Sequence, residues 1–428
     1  MLFYLDDHAY EQRDLDNRWA ALESQSALAS ARRIAVCTHD RFEWLAMALY
    51  ARRHGLSVAP LHPDTPLAAA LDKAAQLECD TLIWQSSNNL HRLEPTEAPS
   101  GTLIQFSSGT TGEPKRIERT WEEIDTEIEH YNRALNLSPE VVPVVACSVT
   151  HSYGLICGVM ASMARGAVPH IVTGWNPKHL LRTLRQYSKP MLYSSPSFIK
   201  TLLMLWPGDQ PLYGVMTSGS VMPRAWFETL TKKTVNVWQQ YGCSEAGCVA
   251  IARQPVDADV MGNPLGHCEL QAGRDADAPD EVVIQLGERQ VRTGDAGYLD
   301  ANGALRFCGR LDDTIISAGL NVYPQEVEDA LLTHSGIHDV VVFKLPDALA
   351  GERVAAVYTG DASLTDRELR SLYRERLATY QWPTWVRHLD RIPRMPNGKV
   401  SRRALAARFA AEGNNVMEES GESRQGVA

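Results

Sequence analysis

The chain has 428 residues, 44% hydrophobic and 22% charged, enough for two or three domains with their own cores and too balanced for a disordered or fibrous protein. With 52 acidic against 42 basic residues the formal charge is -10, which excludes a nucleic-acid coat and suits an enzyme that handles small anions through local basic groups. Neither a nucleic acid nor a membrane is expected as a partner.

The opening string MLFYLDDHAYEQ meets Asp6 and Asp7 too early for a signal peptide, and the most apolar window, residues 141–164, is broken by His151, Ser152 and Tyr153. A cytoplasmic location is expected. The cysteines at 37, 79, 147, 157, 243, 248, 268 and 308 form no CxxC pair and read as reduced core residues. From Arg33 the pattern alternates: strand IAVCT, a helix over 44–53 stopped by Gly55, strand SVAPL, a helix over 67–76, strand TLIW. This βαβαβ order predicts an α/β fold with a mostly parallel sheet.

Residues 106–115 read FSSGTTGEPK. Small residues let the backbone wrap an anion and aim several N–H groups at it. Ser107, Ser108, Thr110 and Thr111 add hydroxyl donors, Gly109 and Gly112 permit a tight wrap, and Lys115 can neutralise a terminal phosphate. Leu103 and Ile104 read as a strand end and Trp121 opens a helix, so this cradle is expected at a strand-to-helix junction. It is not a Walker A loop, because Pro114 precedes the lysine.

Further on, an apolar strand bends at His151 and Tyr153 and continues apolar. A histidine between apolar runs is by itself an ordinary structural residue. Ser218, Gly219 and Ser220 are small residues after the strand in LYGVMTSGS. In VNVWQQYGCSEAG a strand ends at Tyr241 and Gly242; a tyrosine face can stack on adenine, Ser244 can bond phosphate, and Glu245 can hold the Mg²⁺ that screens a triphosphate. In RTGDAGYLDANGALRFCGRLDD, Asp295 can accept both ribose hydroxyls and Arg310 can contact ribose or phosphate. Between them lies a hairpin turning at Asn302-Gly303, and Asp312 and Asp313 read as a solvated turn. A small α+β region follows: a helix from Pro324, strands HDVVVFKL and RVAAVY, a helix opened by the capping box of Thr365 and Glu368, and strand WVRHL. Lys399 sits on a Pro- and Gly-containing loop before a terminal helix, and residues 411–428 lack apolar periodicity and are expected to be disordered.

Taken in this order, the strings resemble the signatures of the adenylate-forming (AMP-binding) enzymes: acyl- and aryl-CoA synthetases, nonribosomal adenylation domains and luciferases. FSSGTTGEPK is similar to [ST]SGTTGxPK, and YGCSE to YGxTE with serine for threonine. TGD, the hairpin, GRxDD and the late lysine complete a resemblance that runs from the first βαβ unit to Lys399. It implies a large N-terminal domain of layered α/β subdomains over 1–311, a small mobile domain over 312–410 hinged at Asp312, and a tail. It also implies the chemistry: a carboxylate attacks the α-phosphorus of MgATP, pyrophosphate leaves, and the acyl-adenylate passes to a phosphopantetheine thiol on CoA or on an acyl carrier protein.

By the same resemblance His151, Tyr153 and Gly154, with Ser218, Gly219 and Ser220, border the acyl pocket. Lys399 enters the site for adenylation, Glu245 and Lys115 serve the leaving pyrophosphate, and a rotation at Asp312 exchanges the Lys399 loop for the Gly319 face before thiol attack. The segments before the phosphate loop and between Glu245 and Asp295 are short for the family, so a trimmed fold is expected, and Ile316 replaces a common lysine. An amino-acid activator would carry an aspartate within 150–153 and none is present, which favours an aryl or fatty acid. An amino-acid adenylating enzyme, a silent nucleotide-binding regulator and a luciferase-like oxidation are the alternatives. Arg367, Arg370 and Arg374 share one helical face that could meet an acidic carrier, or simply be solvated.

Overall fold

The computed structural model describes residues 1–25, 28, 30–107, 115–174, 176–208, 210–317, 320–347, 351–395 and 398–410. Among these residues the strands assemble into three sheets. The alternation that starts at Arg33 is a six-stranded sheet. Strands Arg33–Cys37, Ser57–Leu61, Thr81–Trp84 and Thr102–Ser107 run parallel, joined through helices Arg41–His54 and Leu67–Gln76.

One expectation is corrected here. Lys115–Thr120 is a strand, paired antiparallel with Thr102–Ser107 so that Ser107 faces Lys115. The strands that flank the phosphate string are therefore antiparallel neighbours, and helix Trp121–Leu135 begins a full strand later, capped by Thr120 and Glu123. In KRIERT the inward positions are Ile117 and Arg119, and the inward arginine hides the alternation that marks a strand. The positive end of that helix thus follows the strand Lys115–Thr120.

The largest sheet has thirteen strands. Its parallel block contains Val142–Val145, His170–Ile171, Pro190–Ser194, Leu212–Thr217 and Thr234–Cys243. A short hairpin of Phe3–Leu5 and His8–Tyr10, too brief to read from the sequence, extends one edge. At the other edge the chain turns antiparallel through Gly247–Arg253, Val260–Pro264, Leu305–Arg310, Arg289–Leu299, Asp280–Leu286 and Glu269–Gln271. Helix Trp121–Leu135 joins the two large sheets through one apolar core. Its Trp121, Ile124, Ile128, Tyr131 and Leu135 recur at helical spacing and pack with Val58, Leu103, Val145, Met216 and Cys248.

The small domain has five strands. Ile337–Asp347 and Gly351–Gly360 form its long hairpin, and Trp385–His388 runs parallel to Gly351–Gly360. Helices Pro324–Leu331 and Asp366–Arg376 cover one face, while the helix over 402–410 covers the other, with Phe409 against Phe343 and Trp385. Arg402 pins that helix through Glu328 at 2.7 Å.

The eight cysteines are free, and Cys37, Cys79, Cys157 and Cys248 are core residues. Cys147, Cys243, Cys268 and Cys308 are only half-buried; Cys147 and Cys243 sit at or just past strand ends, where the sheet opens. No helix among the described residues is long and apolar enough to cross a membrane.

Candidate active site

The carboxyl ends of parallel strands are where open α/β sheets leave a crevice for ligands. Here that end is formed by Ser194, Thr217 and residues 240–242 of the large sheet. Asp295 meets it from the antiparallel side. It stands opposite Arg310 in register, with an ion pair of 2.8 Å from Arg310 Nη1 to Oδ1. The Tyr241 hydroxyl donates to Asp295 Oδ2 at 2.6 Å. Burial raises the Asp295 pKa, and Tyr241, Arg310 and Lys399 oppose that rise in part. Burial, followed by Asp295, holds the Tyr241 phenol well above its ordinary value, so it remains a donor. The Tyr241 ring is largely covered, tilted against Phe307 at 6.2 Å.

The small domain brings Lys399 to the same crevice. A Cβ built on Gly219 would lie 3.8 Å from Lys399 Cε. The loop before the lysine is held by Gly398 N–H to Met395 O and Met395 N–H to Lys399 O, both 2.8 Å. Arg394 clamps it, donating to Gly398 O at 3.2 Å and pairing with Asp339 at 2.6 Å. Water reaches Lys399 and His151, while the protein atoms packed around each partly enclose them. That enclosure lowers the Lys399 pKa, Arg310 lowers it further, and Asp295 offsets part of the change. His151 is lowered by enclosure and then by Lys399, which leaves its imidazole neutral at pH 7.

The segment 151–154 turns directly into a wide helix, Tyr153–Met160, with π-type bonding. Gly154 has a steric reason: a Cβ there would sit 2.3 Å from Ser148 O. The Tyr153 hydroxyl donates to Met216 O at 2.6 Å, and its ring lies 6.0 Å from that of Tyr193. Ser218 Oγ donates to Gln240 O at 3.4 Å, and Gly219 and Ser220 follow on an exposed turn. Ser244 and Glu245 occupy the tight turn after Thr234–Cys243, both half-buried, with exposed Gly242 before them. Burial and then the Glu245 carboxylate push the Cys243 thiol up to about 12. Lys115 is exposed at the first position of its strand.

Asp312 is exposed in the 3-10 turn Leu311–Asp313 that links the two domains. Ser108, Gly109, Thr110, Thr111, Gly112, Gly319, the side chain of Ser107 and the tail lie outside the described residues. The structure thus brings Tyr241, Asp295, Arg310, His151, Gly219 and Lys399 to one cleft. Among the described residues no group of three or more His, Cys, Asp or Glu could hold a metal alone. Mg²⁺ is usually held by one or two carboxylates together with nucleotide phosphates, so the lone Glu245 fits a cation that arrives with a nucleotide.

Two contributors were not foreseen. Gln105, immediately before the FSSGTTGEPK string, donates to Thr150 O at 3.0 Å and accepts from Ser152, tying strand Thr102–Ser107 to the His151 segment. Glu127 and Arg119 form a buried pair behind the Glu245 turn. Only Glu127 left a trace in the sequence, as a carboxylate among the apolar positions of helix Trp121–Leu135.

A carboxylate fixed by Tyr241 and Arg310, a crevice at the ends of parallel strands and a lysine delivered by a second domain are the arrangement that the resemblance to adenylate-forming enzymes implies. A family model described as AMP-binding enzyme matches residues 89–277, and one described as AMP-binding enzyme C-terminal domain matches residues 326–399. A 3,4-dihydroxybenzoate–[aryl-carrier protein] ligase of Bacillus anthracis is 36% identical over 400 residues, 92% of this chain and 96% of that one. A 2-succinylbenzoate–CoA ligase of Bacillus pumilus is 27% identical over 78% of this chain and 75% of its own. Among solved structures, an anthranilate CoA ligase bound to anthranoyl-AMP superposes with a TM-score of 0.80 at 17% identity, covering 95% of this chain and 93% of that one. The o-succinylbenzoate–CoA synthetase of Bacillus subtilis with ATP and magnesium gives 0.78 at 21%, covering 94% and 96%. The chain belongs to the AMP-binding enzyme family and is a ligase that joins a carboxylic acid to a thiol through an acyl-adenylate.

Proposed function

We propose that this ligase activates an aryl acid of the 3,4-dihydroxybenzoate type, in the cytoplasm, and passes it to the phosphopantetheine thiol of an aryl carrier protein. The observation that carries the reading is the meeting of Lys399 with Asp295, Arg310 and His151 in one cleft. Asp295 accepts the ribose hydroxyls, with Tyr241 and Arg310 fixing its two oxygens. Lys399 lies between the acid's carboxylate and the α-phosphate. The carboxylate oxygen bonds to the α-phosphorus while the bond to the bridging oxygen breaks, and pyrophosphate leaves with that electron pair. Preorganised cations are most useful where such charge develops. Lys115 and Arg310 supply them from the chain, and Mg²⁺ on Glu245 would screen the departing phosphates when bound. The thiol then gives up its proton to solvent, its sulfur bonds to the acyl carbon, and the acyl–oxygen bond breaks so that AMP departs with that electron pair.

The choice of an aryl acid is supported by the half-buried ring of Tyr153 two residues from His151 and by the lack of any carboxylate in 150–153 that could hold an ammonium group. The carrier protein as acceptor is supported by the 36% identical relative and its stated acceptor. Free cysteines throughout suit a reducing compartment.

The test is thioester formation with holo aryl carrier protein and, separately, with CoA, across 3,4-dihydroxybenzoate, benzoate, anthranilate, octanoate and an amino acid. The expected result is selective loading of the carrier with the dihydroxybenzoate. Preference for octanoate or the amino acid would refute the substrate class, and preference for CoA would refute the acceptor.

A further inference from the structure

The Arg119–Glu127 ion pair is among the most deeply enclosed charge pairs here: Nη2 and Oε2 are 2.7 Å apart, and the side chains are 4% and 1% exposed. Burying two charges costs about as much as their attraction returns, so such a pair is weak evidence for stability and calls for another role. Its position suggests one. Arg119 lies on Lys115–Thr120, the strand that begins with Lys115, while Glu127 lies on the helix that follows. Glu127 Oε1 accepts the Cys248 N–H at 2.7 Å, just beyond the turn carrying Ser244 and Glu245. Gly247 between them has φ +75, and a Cβ there would stand 2.3 Å from Glu127 Oε2 and 2.4 Å from Arg119 Nη1. The turn therefore rests directly on the ion pair. A second tie runs parallel, as Arg289 donates to Glu245 O at 3.1 Å and pairs with Glu123 at 2.8 Å.

We propose that the Arg119–Glu127 pair is a positioning device that fixes the spacing between strand Lys115–Thr120 and the Glu245 turn, so that a magnesium nucleotide meets Lys115 and Glu245 together. This rests on the reading that Lys115 and Glu245 serve MgATP. Arg119 and Glu127 touch no substrate in this scheme; they act through the turn and the strand. An unpaired buried charge would destabilise the fold, so two variants are needed. Glu127→Gln keeps an oxygen for the Cys248 N–H and loses the charge. The double variant Arg119→Met, Glu127→Leu replaces the pair with apolar volume.

Each is titrated with Mg²⁺ in acid-dependent ATP–pyrophosphate exchange, with KM for ATP, KM for the acid and the melting temperature measured alongside. The half-saturating Mg²⁺ concentration and the KM for ATP should rise about tenfold, as for lost outer-shell support of a metal, while the KM for the acid stays within about twofold of the parent. That pattern should hold in whichever variant melts like the parent. Wild-type Mg²⁺ dependence in such a variant overturns the proposal. Glu245→Gln is run in parallel. If it shifts the Mg²⁺ curve and the pair variants do not, only the positioning role falls; if it does not shift the curve, the metal reading falls and the proposal with it.

Discussion

Lys399 is held in a cleft that disfavours its charge, since enclosure and Arg310 both lower its pKa against a partial offset from Asp295. An incoming polyphosphate reverses that balance, because an anion beside the ammonium favours the protonated form. Nucleotide binding on the alkaline side should therefore take up protons, and calorimetry in buffers of different ionisation enthalpy would read them. kcat/KM for ATP should fall as pH rises through the lowered lysine value, since this ratio reports the free enzyme's groups, and Lys399→Arg should lift that alkaline limb. Proton release on binding would contradict the assignment. At this scale the motif residues were legible because their chemistry is local to short strings. The Tyr241–Asp295 bond was not, because the partners are 54 positions apart and neither string states which oxygen the other supplies.

The helix Tyr153–Met160 starts where the chain must pass within contact distance of Ser148 O, and only glycine at 154 leaves room. Gly154→Ala forces backbone to move, an overpacking cost of about 1–3 kcal/mol. It should lower the melting temperature and raise the KM for the acid more than the KM for ATP, because the displaced segment carries His151 and Tyr153. Steady-state kinetics with a thermal melt checks this; an unaltered acid KM would refute the pocket assignment of 151–154. Element reading succeeded where periodicity was clean, as in the βαβαβ unit and the hairpin at Asn302-Gly303. It failed at Lys115–Thr120, where inward Arg119 serves a buried ion pair rather than apolar packing, and at Phe3–Leu5 and His8–Tyr10, where three residues are too few for a pattern to emerge.

At the scale of the whole molecule, the small domain is docked so that Lys399 points inward. Lys200, lying over Trp226 at 4.1 Å, donates to His338 O, and Asp329 accepts the Arg224 N–H at 2.8 Å. These few polar contacts fit an interface that opens and closes. We propose Asp312 as the hinge. Asp312→Pro should leave pyrophosphate exchange near the parent rate and slow thioester formation, since a fixed φ limits rotation at that point; equal loss in both half-reactions would count against a hinge there. The domain pairing was foreseeable from motif order, but the contacts that dock the two domains fall on residues outside every motif.

The central claim is that a lysine from the small domain enables an acid oxygen to displace pyrophosphate. The measurement that bears on it most directly is acid-dependent ATP–pyrophosphate exchange by Lys399→Ala beside the parent enzyme. Exchange should fall by about 100-fold or more, with melting within about 2 °C of the parent. Exchange at the parent rate in the folded variant would contradict the account.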